Sequence, residues 1–132
     1  AGGGNFQRDS SRSFQKGKRI MTDIKTLIEK GGMALLCPGE IPKKNITGCY
    51  CGDLLSWVMS RAKEGDAWLT VMGNINAVGV AALSECACIV LTENASLDSD
   101  ALKRAEENDI AILRTEKNSY ETAVLLSKLL GD

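Results

Sequence analysis

The stretch from Ile46 to Asn76 constrains this chain more than any other. It runs Ile46–Cys51, Gly52-Asp53, an apolar-faced segment to Lys63, Glu64-Gly65-Asp66, then Ala67–Met72 and Gly73-Asn74-Ile75-Asn76. The spacing predicts a strand, a helix and a strand, with a small polar corner after each strand. Ala67–Met72 is continuously apolar, as a parallel strand covered on both faces must be. In an open parallel sheet, ligands bind at the carboxyl ends of the strands, where such corners lie.

The same alternation continues in both directions. Upstream, Thr22 is placed to cap a short helix bearing Ile24, Leu27 and Ile28, and Gly31-Gly32 is placed to end it. Met33–Cys37 reads as a brief strand, followed by a loop around Pro42. Asp53 is placed to cap the helix bearing Leu54, Leu55, Trp57, Val58 and Met59. Downstream, Ala77–Glu85 reads as a helix of small residues, and Ala87–Thr92 as a buried strand. Asp98 or Ser99 opens a helix to Glu107. Ile110–Arg114 is the last strand. Asn118 and Glu121 have capping-box spacing before a final helix to Leu130. Strands alternating with helices over short links predict an α/β chain, a three-layer α/β/α sandwich on a largely parallel sheet.

Residues 1–20 differ from the rest. They hold Gly2-Gly3-Gly4, Ser and Gln, five basic residues (Arg8, Arg12, Lys16, Lys18, Arg19) and one acid, Asp9, with no helical or strand period. They are read as a disordered, appended segment with the native start at Met21; a natural basic arm is the alternative. Residues 21–132 are read as one domain. The chain carries 16 basic and 17 acidic residues. Taking away the five and the one leaves 11 and 16, net −5, for the domain. An acidic domain lacks the basic surface that a phosphate backbone needs, so no nucleic-acid partner is expected. No apolar run reaches the roughly 18 residues of a membrane span, and no secretory leader is visible.

Five cysteines and no histidine do not suggest a secreted disulfide framework, so a cytoplasmic location with reduced thiols is expected. Cys49, Cys51, Cys86 and Cys88 read as buried thiols acting as small hydrophobes; a four-thiolate zinc or iron–sulfur site is the alternative. No cofactor is expected.

The ordered set Thr47-Gly48-x-Tyr50-x-x-Asp53-Leu54-Leu55-Ser56-x-Val58-Met59, then Ala62-Lys63-Glu64-Gly65-Asp66-x-Trp68, then Asn74-x-Asn76-x-Val78-x-Val80-Ala81 resembles the DRTGG domain. The resemblance spans essentially Met21 to Leu130. DRTGG domains, here expected to be bacterial, are similar to the amino-terminal domain of HPr kinase/phosphorylase. They also occur in phosphotransacetylases and between the CBS domains of some pyrophosphatases. The resemblance implies a regulatory, ligand-sensing role, frequent dimerisation, and proximity to adenine-nucleotide regulation. The name-motif falls near Asn45-Ile46-Thr47-Gly48-Cys49, where its Asp, Arg and second Gly are not kept.

A serine-kinase activity, the label such chains sometimes carry, is not expected. No Gly-x-x-x-x-Gly-Lys-Ser/Thr loop is present to cradle phosphates, and no histidine is present to act as a base. The expected role is non-catalytic. Gly73, Asn74 and Asn76 offer helix-start amides and amide side chains to a small anion such as an adenine nucleotide. Thr92, Glu93 and Arg114 lie at the next strand ends, with Arg114 as the cation for a phosphate. Simple capping at Asn76 and a surface ion pair of Arg114 with Glu116 or Glu93 are the alternatives. A second reading is a partner-binding domain without a small ligand, using Ala77–Leu83 and the Trp57/Met59 face. A homodimer is expected.

Overall fold

A five-stranded sheet carries the molecule, and its register explains which residues are buried. The computed structural model describes residues 20–37 and 39–132; the reading of residues 1–19 lies outside them. In chain order the elements are β1 (Thr22–Asp23), α1 (Ile24–Glu29), β2 (Ala34–Leu35), β3 (Asn45–Ile46), β4 (Gly48–Cys51), α2 (Leu55–Arg61), β5 (Asp66–Thr70), α3 (Ile75–Leu83), β6 (Cys88–Leu91), α4 (Ser99–Glu107), β7 (Ala111–Arg114) and α5 (Ser119–Leu129).

The main sheet has the order β2-β7-β6-β5-β4. β4 to β7 are parallel, and β2 runs antiparallel along β7. The run predicted as one strand, Ile46–Cys51, is divided at Thr47. Asn45–Ile46 instead pairs antiparallel with β1 in a separate two-stranded ribbon.

Successive strands β4, β5, β6 and β7 always step the same way across the sheet. Right-handed crossovers then require every connecting helix to lie on one face. The packing agrees. Val58 of α2, Ala77, Val78 and Ala81 of α3, and Ala101 and Ala105 of α4 pack on Trp68, Ile89, Leu91 and Ile112. Ile24 and Leu27 of α1 and Leu126 of α5 pack on the other face, against Ala67, Leu69, Cys88, Val90, Ala111 and Leu113. The three-layer α/β/α sandwich is thus the observed fold. Strand residues alternate between the two clusters because successive side chains leave opposite faces.

The small side chains of α3 are spent inside the protein. Ala77, Val78, Val80 and Ala81 are buried, with α2 and α4 on either side. That helix therefore does not offer the partner-binding surface read from its composition, although Leu83 at its end is exposed. The broad apolar face predicted for α2 also narrows. Only Val58 is fully buried, whereas Leu54, Trp57 and Met59 are 58%, 52% and 51% exposed.

Several caps shift by a residue or two. Asp23, not Thr22, caps α1: its Oδ1 accepts from the Thr26 amide at 2.8 Å and hydroxyl at 2.7 Å. Those two donors hold the Asp23 carboxyl below the usual carboxylate range. Asp98 stands at the start of α4 without a side-chain cap bond. The Asn118–Glu121 capping box forms as spaced, with bonds of 2.8 and 3.3 Å.

Candidate functional site

The four loops leaving the carboxyl ends of β4 to β7 form one connected rim. Asp53, expected to cap α2, does something else. Leu54 holds the cap position without a side-chain bond. Asp53 Oδ1 reaches across to β5, accepting from Thr70 Oγ1 at 2.6 Å and from the Val71 amide at 3.1 Å. It ties the end of β4 to the end of β5. Asp53→Ala is expected to lower stability by about 1–2 kcal/mol, since both donors lose their carboxylate partner. Equilibrium urea unfolding reads this directly.

The β5 corner is closed against its neighbour. Asn74 Oδ1 accepts from the Ala77 amide at 2.9 Å, so Asn74, not Asn76, is the cap of α3. Asn76 is exposed in the first turn. The Gly73 carbonyl accepts from the Asp98 amide at 2.8 Å. A Cβ on Gly73 would lie 2.0 Å from the Ser96 carbonyl oxygen. Glycine is thus required for close backbone approach.

The loops after β6 and β7 are laced together. The Thr92 amide donates to Thr70, and the Glu93 and Asn94 amides donate to the carbonyls of Lys117 and Thr115, each at 2.8 Å. Thr92 is buried, its hydroxyl 3.4 Å from that of Ser119. Glu93 and Asn94 both take left-handed backbone, φ 55° and 54°. Two consecutive non-glycine residues there cost roughly 1–3 kcal/mol each, offset by this lacing. The amides of Glu93, Asn94 and Ala95 all have protein acceptors. The loop therefore holds no vacant amide cradle, and recognition at this end falls to side chains.

β6 sends its chain to α4 on one face, while β7 sends its chain to α5 on the other. Diverging connections of that kind open a crevice between strand ends. A cavity of about 400 Å³ lies across the end of β7, between the laced loops and the start of β2, lined by Gly32, Ala34, Asn94, Arg114, Thr115, Glu116 and Lys117. Arg114 is half-buried, and its guanidinium has neither a hydrogen-bond nor an ion-pair partner among the described residues. Lys117 adds a second cation that the sequence reading did not include. Its placement depends on the lacing of the Thr92 and Thr115 loops, which no local pattern encodes. Of the residues singled out, Arg114 lines the cavity and Glu93 flanks it through its bond to Lys117. Thr92 is buried and does not line it, and Gly73, Asn74 and Asn76 form the neighbouring corner.

A larger cavity, about 520 Å³, wraps the outer edge of β4, lined by Thr47, Gly48, Cys49, Tyr50, Arg61, Lys63, Glu64 and Asp66. It lies toward the amino ends of β4 and β5. Its two cations meet two acids, and Arg61 already stacks on Trp57 at 3.8 Å. Its net character suits an anion less than the Arg114 crevice does.

The cysteines do not form one cluster. Cys86 belongs to the core on the α2–α4 face and Cys88 to the core on the α1/α5 face. No three His, Cys, Asp or Glu side chains among the described residues form a metal-holding group. Cys49 and Cys51 do share a side of β4, their sulfurs 4.0 Å apart. Burial pushes the Cys86 and Cys88 thiols up, to about 11 and about 12. Cys51 is exposed, and its hydrogen bond with Cys49 brings its thiol down to about 7; Cys49 itself rises. Since the thiolate is the nucleophile, alkylation of Cys51 by iodoacetamide is expected to rise with pH around a midpoint near 7. In Cys49→Ala, which removes the donor, the midpoint moves up toward the ordinary thiol range. An unchanged midpoint would remove the Cys49 bond as the cause.

The sheet and its two helical layers define a small three-layer α/β/α domain. The chain belongs to the DRTGG domain family, whose profile matches residues 49–129. Its fold is similar to that of the CBS and DRTGG domains of the regulatory region of Clostridium perfringens pyrophosphatase, a structure complexed with its activator diadenosine tetraphosphate. The TM-score is 0.65 at 12% identity, over 83% of this chain and 47% of that one. The present chain thus corresponds to about half of that regulatory region. No curated protein matches the sequence. No helix among the described residues is long and apolar enough to cross a membrane.

Proposed function

We propose that this DRTGG domain is a non-catalytic regulatory module that binds a small anion, of the adenine-nucleotide class, in the crevice across the end of β7, between the β6 and β7 loops and the start of β2. The half-buried guanidinium of Arg114, unpaired among the described residues, carries the reading. A guanidinium in that state gains a charge-assisted, bidentate bond when a phosphate arrives. Lys117 supplies a second charge and Asn94 an amide, and Glu116 lines the same cavity. The activator held by the pyrophosphatase region gives the nucleotide class its weight.

Thermal-shift measurements with ATP, AMP and diadenosine tetraphosphate test this. A ligand bound at 100 times its Kd raises stability by about 2.7 kcal/mol. Arg114→Ala is expected to weaken binding at least tenfold while leaving the unliganded melting point nearly unchanged. No shift with any nucleotide at millimolar concentration overturns the proposal.

A second reading rests on α2. Leu54, Trp57 and Met59 are each more than half exposed and lie beside the open edge strand β4. A second copy of the domain covering this face gives the homodimer, and light scattering after gel filtration distinguishes it from a monomer. Loss of the dimer in Trp57→Ser, with the nucleotide shift retained, separates the two surfaces.

A further inference from the structure

Cys49 and Cys51 occupy alternate positions on β4, an edge strand of the sheet. Both therefore project from one face, and their Sγ atoms are 4.0 Å apart. Cys51 is exposed and Cys49 half-buried. Neither side chain is used by the crevice at the β6 and β7 ends.

Two products are open to a thiol pair of this kind, and the geometry chooses between them. A disulfide needs sulfurs about 2.05 Å apart and Cβ atoms about 3.8 Å apart. Residues two apart on a strand are separated by about 6.6 Å. Closing the bond means pleating β4 out of its register with Ala67 and Leu69 of β5. A bridging metal ion asks for no such movement. With metal–sulfur bonds of about 2.3 Å, sulfurs at the observed spacing subtend an angle of about 120° at the ion. That angle lies within the range of three- and four-coordinate thiolate sites.

The geometry points to a two-thiolate site at Cys49 and Cys51 for a soft d10 cation, Cu(I), Zn(II) or Cd(II), with its remaining positions open to solvent. Thiolate donors select these ions over hard cations such as Mg(II) and Ca(II). On binding, each thiol that is still protonated releases its proton to solvent, and the ion keeps its oxidation state. The site differs from a four-sulfur cluster, since Cys86 and Cys88 face opposite sides of the sheet. It is also independent of nucleotide binding at Arg114.

The test uses the full chain, kept reduced with a phosphine and titrated with Cd(II). The readouts are the thiolate-to-metal charge-transfer band and metal content after gel filtration. One ion per chain is expected. Cys51→Ser, a change at an exposed position, and Cys49→Ser should each weaken uptake at least tenfold, while Cys37→Ser retains it. Circular dichroism of each variant confirms that the fold is kept. A wild-type chain that elutes without cadmium overturns the site. So does a loss in Cys37→Ser equal to that in Cys51→Ser, or half an ion per chain.

Discussion

Trp68→Ala is expected to cost about 4 kcal/mol, the largest effect of any single truncation in this domain. Trp68 is among the largest of the fully buried side chains. It stands in the middle of β5 and packs in the cluster beneath α2, α3 and α4. Truncation loses the transfer free energy of the indole and leaves a void that a sheet with paired strands on both sides cannot close. The indole also donates to the Gly52 carbonyl at 2.8 Å, joining β5 to the corner between β4 and α2. That carbonyl loses its partner as well. Small domains have only about 5–15 kcal/mol in hand, so the variant should unfold at a much lower urea concentration with a similar slope. Trp68→Phe keeps most of the volume and gives up the hydrogen bond. Its expected cost is about 1–2 kcal/mol. A loss below 2 kcal/mol in Trp68→Ala would show that the neighbouring layers can collapse onto the site.

Gly73→Ala is expected to cost about 3 kcal/mol despite adding a single methyl group. The new Cβ would fall 2.0 Å from the Ser96 oxygen and 3.0 Å from Leu97 Cα, and both are backbone atoms. No side-chain rotation relieves such a contact. The loops after β5 and β6 must part, which strains the Asp98–Gly73 hydrogen bond and the start of α3. Gly79→Ala is the matched control. A Cβ there meets nothing within 4 Å, and alanine is preferred over glycine inside a helix by up to about 1 kcal/mol. The two substitutions should therefore move the urea midpoint in opposite directions. Equal effects would refute the close approach at Gly73.

The large separation between these outcomes shows where local pattern stops being informative. The layer architecture was legible because runs such as Ala67–Met72 and Ala87–Thr92 are apolar without interruption, and only a strand covered on both faces has that composition. The capping box at Asn118 and Glu121 was equally legible, since its bonds lie within one turn. Asp53 was not. Its spacing suits a helix cap, yet its carboxylate bonds to Thr70 and Val71, seventeen and eighteen positions away. The apolar face of α2 was misread for a related reason. A helix beside an edge strand has no neighbour on its outer side, so Trp57 and Met59 emerge into solvent.

From the chain alone come the α/β alternation, the family resemblance and the absence of a phosphate loop, since each is written in neighbouring residues or in composition. The union of Arg114, Lys117 and Asn94 around one crevice was decided by tertiary structure. So was the division of Cys86 from Cys88, and the pairing of Cys49 with Cys51 on an open edge. The physical reason is that strand order and face are set by long-range pairing and crossover direction. Side chains from distant segments converge only after those choices are made.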